Sequence, residues 1–214
     1  MVTKQVANVV ISPPNFQWAE FTIKGNAPYV QNKFSSKALE EMKEKQEAGS
    51  TTVKSVKRKP KDFQEAYEKS LHITQDGWYG IPAPAFRNAM VSACRTVGFK
   101  MTLAKLSIFI EADGFDKDDA TPLVKIIKGE PQYFESLVRV ASNAPDIRPR
   151  GMWQPGWEAR VRIRFDADQF TIEDVSNLLM RVGVQVGLGE GRPDSKMSTG
   201  MGWGTFEVKN EESR

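Results

Sequence analysis

Apolar and polar positions alternate most cleanly over residues 157–165, where Trp157, Ala159, Val161, Ile163 and Phe165 are separated by Glu158, Arg160, Arg162 and Arg164. A period of two puts one set against a core and the other in solvent, so the stretch predicts a strand with an arginine ladder on its outer face. Residues 16–24, rich in aromatic and β-branched side chains and ending at Gly25-Asn26, predict a strand near the start. Over residues 103–112, Ala104, Leu106, Ile108, Ile110 and Ala112 fall on one side, and Lys105, Ser107 and Phe109 on the other, predicting another. Shorter strand-like runs lie at 123–127 and 137–140, a Pro/Arg/Trp-rich loop reaches Pro155, and a last strand spans 203–208.

Two segments carry the helical period instead. Pro82 and Pro84 open a helix in which Phe86, Met90, Ala93, Cys94 and Val97 share one face. Thr171, with Asp174 three positions on, starts a second, whose apolar positions are Ile172, Val175, Leu178, Leu179, Val182 and Val186. Residues 71–74 and 78–82 flank Gln75-Asp76-Gly77, a turn signal that predicts a hairpin. Residues 36–47 have good helix formers but few apolar positions and read as a solvated helix, and residues 53–61 form a basic loop that includes Lys57 and Arg58. About residues 31–70 thus form an insertion after the first strand of a single domain spanning 1–214. The element order predicts an α+β fold of ferredoxin-like plan, an antiparallel sheet with two helices on one face.

Composition narrows the chemistry. The 214 residues contain one cysteine and one histidine, Cys94 and His72, which removes an internal disulfide and the raw material for most metal sites and histidine triads. No cofactor is expected. The sequence shows no run of the ~18–20 apolar residues that a membrane span needs, and its opening residues lack a signal-peptide core, so a soluble, cytoplasmic protein is expected. A net charge of +3 is small, but the acids cluster at residues 40–47, 113–119 and the tail, leaving a basic face.

Seven of the sixteen glycines crowd into residues 183–204, joining the second helix to the last strand. Glycines let backbone approach a ligand, and Gly189, Arg192 and Lys196 suit phosphate oxygens, although neither a Walker loop nor a dinucleotide fingerprint is present. This loop, with Gly204-Thr205-Phe206-Glu207-Val208 after it, resembles the C-terminal glycine-rich loop and strand of the RAMP superfamily, whose members include RNA-binding backbone subunits of CRISPR effector complexes. Residues 81–90, Ile-Pro-Ala-Pro-Ala-Phe-Arg-Asn-Ala-Met, leading to Arg95, resemble the same family's Ile-Pro turn and the helix that aims a basic residue at RNA. Pro84, Ala85 and Asn88 depart from that motif. The whole chain also resembles proteins of tailed bacteriophages, implying a bacterial, phage-infected cytoplasm.

The resemblance implies a ferredoxin-like or RRM-like core and a non-catalytic protein that lines up along single-stranded RNA or DNA as a homo-oligomer or beside neighbouring subunits, with no membrane partner. The binding candidates are Arg87 and Arg95 on the first helix, Lys105, the Arg160/Arg162/Arg164 ladder, Arg192 and Lys196, Lys57 and Arg58. Arg148 and Arg150 stand beside Trp153, a candidate platform for a base. Two alternatives stand: a self-assembling structural protein of a phage particle, and a metal-independent endoribonuclease using His72. For His72 a core or surface position is the expectation, for residues 113–119 a solvated acidic loop, and for Cys94 an inert place on a buried helix face.

Overall fold

The computed structural model describes residues 12–33, 62–139, 145–195 and 200–209, together with Lys43, Gln46 and Glu47, which are helical. Strand β1 (Phe16–Gly25) is preceded by exposed prolines and is followed by the short β2 (Tyr29–Gln31). Helix α1 (Phe63–Glu68), strand β3 (Gly80–Pro82) and helix α2 (Ala83–Ala93) come next, then α3 (Met101–Ser107) and β4 (Ile108–Glu111). The chain continues through β5 (Gly114–Phe115), β6 (Pro122–Lys128), β7 (Gln132–Arg139), β8 (Pro145–Trp153) and β9 (Glu158–Asp166) to α4 (Ile172–Arg181) and β10 (Phe206–Val208).

Strand β9 is the centre of the larger sheet because its alternation serves two partners. Ala159, Val161, Ile163 and Phe165 are buried, while Arg160 and Arg162 face solvent. One edge of β9 pairs antiparallel with β1 from Phe16 opposite Asp166 to Lys24 opposite Glu158. Its other edge is shared: β4 takes the half from Phe165 to Arg162, and β6 the half near Ala159 and Glu158. Strand β10 borders β1, giving the order β10-β1-β9-β4 with every neighbour antiparallel, and β3 and β5 extend the sheet beyond β6. A second, three-stranded sheet has the order β2-β8-β7.

Helices α2 and α4 lie against the apolar face of the larger sheet. Phe86, Met90, Ala93 and Cys94 from the first, and Val175, Leu178 and Leu179 from the second, join Val161, Ile163 and Phe165 in one core. The start of α4 is fixed by a capping box: Asp174 N donates to Thr171 Oγ1 at 3.1 Å and Thr171 N to Asp174 Oδ2 at 2.9 Å. Such a cap is worth about 1 kcal/mol. The architecture is therefore α+β, mostly antiparallel, with four helices among the described residues. No helix among them is long and apolar enough to cross a membrane.

Several expected elements differ. Residues 103–112 are not one strand: α3 occupies Met101–Ser107 and only Ile108–Glu111 is extended, so Lys105 sits on a helix and Leu106 is 71% exposed. Ala104, Ser107 and Ile108 are buried at the helical spacing i, i+3, i+4, which the alternation had masked. The Asp76-Gly77 turn forms, with Gly77 at φ +83°, but its arms meet only at Ile73 and Tyr79, and β3 pairs with β6 instead. The Pro/Arg/Trp-rich segment is a strand, β8. Its prolines fall where β2, which reaches only residues 151–153, leaves one edge unpaired, and proline is tolerated there. The solvated helix at 36–47, apart from its three described residues, and the basic loop with Lys57 and Arg58 lie outside the described residues, as does Lys196.

Candidate functional site

A cleft of about 1070 Å³ opens where α2 faces the glycine-rich loop, walled by residues from β2, β7 and β8. Asn88 and Ser92 line it from the helix, Arg148 and Leu137 from the hairpin, Trp203 from the returning chain, and His72 from the wall. Described residues of the two segments far apart in sequence that carry the family resemblance, from Pro82 to Ser92 and from Gly187 to Ser195 with Met201 and Trp203, both line it.

The loop is held by its own backbone. Leu188 N donates to Gly204 O at 3.0 Å, Glu190 N to Val30 O at 2.9 Å, and Gly204 N to Pro28 O at 2.6 Å. Two of its glycines are required by close approach: a Cβ on Gly189 would stand 2.4 Å from Val30 O, and one on Gly204 1.8 Å from Leu188 O, both at positive φ. Ion pairs fasten it further. The buried Arg150 donates through Nε to Glu190 at 2.6 Å, and Arg95 Nη2 reaches both carboxylate oxygens of Asp194 at 2.8 and 2.7 Å. Arg192 Nη1 donates to Gly189 O at 3.0 Å. The described parts of the loop, residues 187–195 and 200–204, are a built wall, not a loose connection.

On the far side of the sheet each ladder arginine has an acidic neighbour. Arg160 Nε lies 3.5 Å from Glu20, Arg162 Nη2 2.9 Å from Asp113, and Arg164 Nε 3.3 Å from Glu111. The Arg164 guanidinium also stands 5.3 Å from the Phe16 ring centre and 5.0 Å from that of Phe109. Trp18, opposite Arg164 in register, is exposed. Arg87 closes the end of α3: its Nε donates to Ile108 O at 3.0 Å and its Nη2 to Lys105 O, the capping that carbonyls at a helix C-terminus attract. Trp153 is not a base-stacking platform. It is fully buried, with the rings of Tyr29 and Tyr79 centred 5.4 and 5.8 Å away. The most exposed aromatic of this face among the described residues is Trp18, which the sequence pattern of residues 16–24 did not single out.

Residues 113–119 are not simply a solvated acidic loop. Asp116 is buried and accepts His72 Nδ1 at 2.9 Å and Lys33 Nζ at 2.5 Å, while Lys33 also reaches Asp118 at 2.8 Å. His72 N donates to Gln31 Oε1 at 2.7 Å, and Gln31 Nε2 to Gly80 O at 2.8 Å, so the cluster is locked to β2 and β3. Burial disfavours the imidazolium and, against the pull of Asp116, lowers the His72 pKa below its ordinary value. Burial would raise that of Asp116, but Lys33, the Asp118 N–H and His72 together hold it below the usual carboxylate range. The Lys33 ammonium is stabilised against its own burial by the two aspartates, which raise its pKa. His72, Asp116 and Asp119 bring three possible ligand atoms within 4.8 Å, yet the chain already supplies a cation there in Lys33. Cys94 is buried, with its thiol pKa raised by burial, and is unreactive by position.

What the sequence could not supply was the link from His72 to Asp116, 44 positions apart, or from Lys33 to Asp116, 83 apart. No protein-family model matches the chain, and no curated protein matches it significantly.

Proposed function

We propose that this protein binds single-stranded nucleic acid, RNA foremost, as a RAMP-like protein with a ferredoxin-like core, and that copies assemble along the strand. The observation that carries the reading is the cleft, because described residues of both segments that resemble RAMP motifs line it. The antiparallel order β10-β1-β9-β4, with α2 and α4 on one face, supports the ferredoxin-like assignment. Charge supports it from another direction. Residues 34–61 hold eight Lys or Arg and four Glu, so the rest of the chain balances at −1, and the polyanion-attracting charge belongs to the insertion. The described chain before the insertion ends beside the cleft: Asn32 lines it, and Lys33 N donates to Ser70 O at 3.1 Å.

Fluorescence anisotropy with labelled single-stranded RNA and DNA of about 20 nucleotides tests this. Binding at 50 mM salt that weakens at least tenfold by 200 mM, and that Asn88→Trp reduces by filling the cleft, is the expected result. Failure of both strands to bind at 50 mM salt ends the proposal. Light scattering separates the structural-protein alternative, in which assembly is indifferent to nucleic acid.

A second reading rests on one observation: the only histidine of the chain lies in the cleft wall with its Nδ1 on a buried aspartate. A neutral imidazole so oriented can act as a general base through Nε2. It would take the proton of a ribose 2′-hydroxyl as that oxygen attacks the adjacent phosphorus. The P–O5′ bond breaks, the leaving oxygen takes a proton from water, and a 2′,3′-cyclic phosphate results. Cleavage in EDTA that yields this end group and is abolished by His72→Ala would favour it over pure binding.

A further inference from the structure

The cleft between α2 and the glycine-rich loop is not lined as a track for phosphates. Its lining carries Arg148 and Arg192 against Glu190 and Asp194, so with His72 neutral the charges there balance. Most of them already have partners: Arg148 Nε donates to Asp146 at 3.0 Å, Glu190 accepts from Arg150 at 2.6 Å, and Asp194 accepts from Arg95 at 2.7 Å. Two apolar side chains of the lining stand open, Leu137 at 74% and Met201 at 58% exposure. Such a lining matches a flat, nearly neutral group with a polar edge, which in a nucleic acid is the base.

Trp203 supplies a rigid ring. Its backbone N donates to Gly191 O at 3.2 Å, and Gly191 lies so close against the indole that a Cβ there would stand 2.4 Å from Cε3 and 2.9 Å from Cδ2. Phe134 meets the ring edge to face, with centres 5.7 Å apart at 86°. What remains of the half-buried indole borders the cleft. A ring held in this way has little freedom left to lose when a base stacks on it. From α2, the exposed Asn88 lines the same cleft, and Ala85 and Ser92, about one turn to either side, are too small to cover it. Among the described residues the Asn88 amide has no partner. A primary amide sets an acceptor beside a donor, the pattern that pairs with N6 and N7 of adenine. We infer that the cleft takes a single unstacked adenine, with Trp203 as its stacking platform and Asn88 reading its edge. This rests on the strand-binding reading and adds a base preference to it, at a position where the chain departs from the RAMP pattern.

Anisotropy titrations of the full chain test it, with labelled RNA strands of about 20 adenosines, uridines or cytidines at about 100 mM salt. The adenosine strand should bind about tenfold or more tighter than the other two, and Asn88→Ala should bring the three within about twofold of one another by weakening the first alone. Trp203→Phe, which keeps a ring, should retain the preference, whereas Trp203→Ala should weaken all three strands by about fivefold or more. Three strands bound equally by the unaltered chain overturn the inference, as does a preference that survives Asn88→Ala or an affinity unmoved by Trp203→Ala; each of these leaves strand binding itself standing. No binding of any strand at about 50 mM salt ends both. The comparison of the three strands uses the unaltered chain, so no folding defect of a variant can produce its result.

Discussion

Two sets of charges in this molecule look alike in composition and differ in what they do. On the open sheet face, Arg160, Arg162 and Arg164 meet Glu20, Asp113 and Glu111; beside the cleft, Lys33 and His72 meet Asp116 and Asp118. The sheet-face groups are each between a quarter and about half exposed, whereas the side chains of Lys33 and Asp116 are at 3% and 0%. Exposed pairs gain little, because water solvates both ions almost as well and salt screens them. A buried pair is different: the pair itself offers modest stability, but either ion left alone is severely penalised. The sheet face is therefore neutral and tolerant, and the cluster is a fastening for β2, the turn before β3 and the loop before β6.

The largest effect expected from this contrast is on stability. Asp116→Ala leaves the buried Lys33 ammonium with only the half-exposed Asp118 and takes away the acceptor of His72, and should cost about 3 kcal/mol, whereas Glu20→Ala should cost at most about 1 kcal/mol. Urea unfolding of the two variants measures both. Equal costs would break the contrast and mean that water reaches Asp116.

The next effect is on binding. Replacing residues 34–61 by a short Gly-Ser linker removes a net charge of +4 and should weaken single-stranded RNA binding at 100 mM salt by about tenfold or more. Arg160→Ala with Arg162→Ala should weaken it less than about threefold, since each arginine leaves behind a carboxylate it had neutralised. Anisotropy titrations read both, and the reverse ranking would move the interface to the sheet.

A smaller effect follows from titration of the cluster. The folded-state pKa of His72 is lowered from 6.5, so the unfolded chain binds its proton at higher pH than the folded one. Its contribution to stability is complete above about pH 6.5 and is lost as pH falls through the folded value, at up to about 1.4 kcal/mol per pH unit. Asp116, lowered from 3.8, acts in the same direction further into acid. His72→Gln should flatten the stability profile below about pH 6.5, as read from unfolding midpoints. A profile no flatter than that of the unaltered chain would show that the imidazole is not held neutral.

The contrast also explains what could be read from the sequence. The sheet face was legible in β9 because a strand places every second residue on one side: its arginine ladder follows from period two alone, whereas β1 was legible as a strand only from its aromatic and β-branched content. The faces of α2 and α4, and the Thr171 cap, were legible for the same local reason. The cluster was not, because Lys33, His72 and Asp116 belong to three segments that share no period and are joined only by the fold. Likewise, a guanidinium such as Arg87 can be recognised as basic from sequence, but the helix end it caps, created by the break between Ser107 and Ile108, cannot. Trp153 misled for a related reason. Its arginine neighbours suggested a wet surface, whereas the last five residues of β8 are all buried and Trp153, opposite Tyr29 of β2, packs against the rings of Tyr29 and Tyr79.

The smallest expected effect is also the most direct probe of where a strand binds. Glu20→Gln with Glu111→Gln frees Arg160 and Arg164 without removing a cation, adding two unbalanced positive charges to the open face beside the exposed Trp18. If the ligand lies in the cleft, those charges act only at a distance through screening salt, with a Debye length of about 10 Å at 0.1 M, and affinity should rise no more than about twofold. A gain of tenfold or more would mean that phosphates already lie against β1 and β9, held back by the carboxylates that now neutralise them. In that case Trp18→Ala should lower affinity by the about 1–3 kcal/mol that stacking of a base contributes, and the cleft would be left to another ligand.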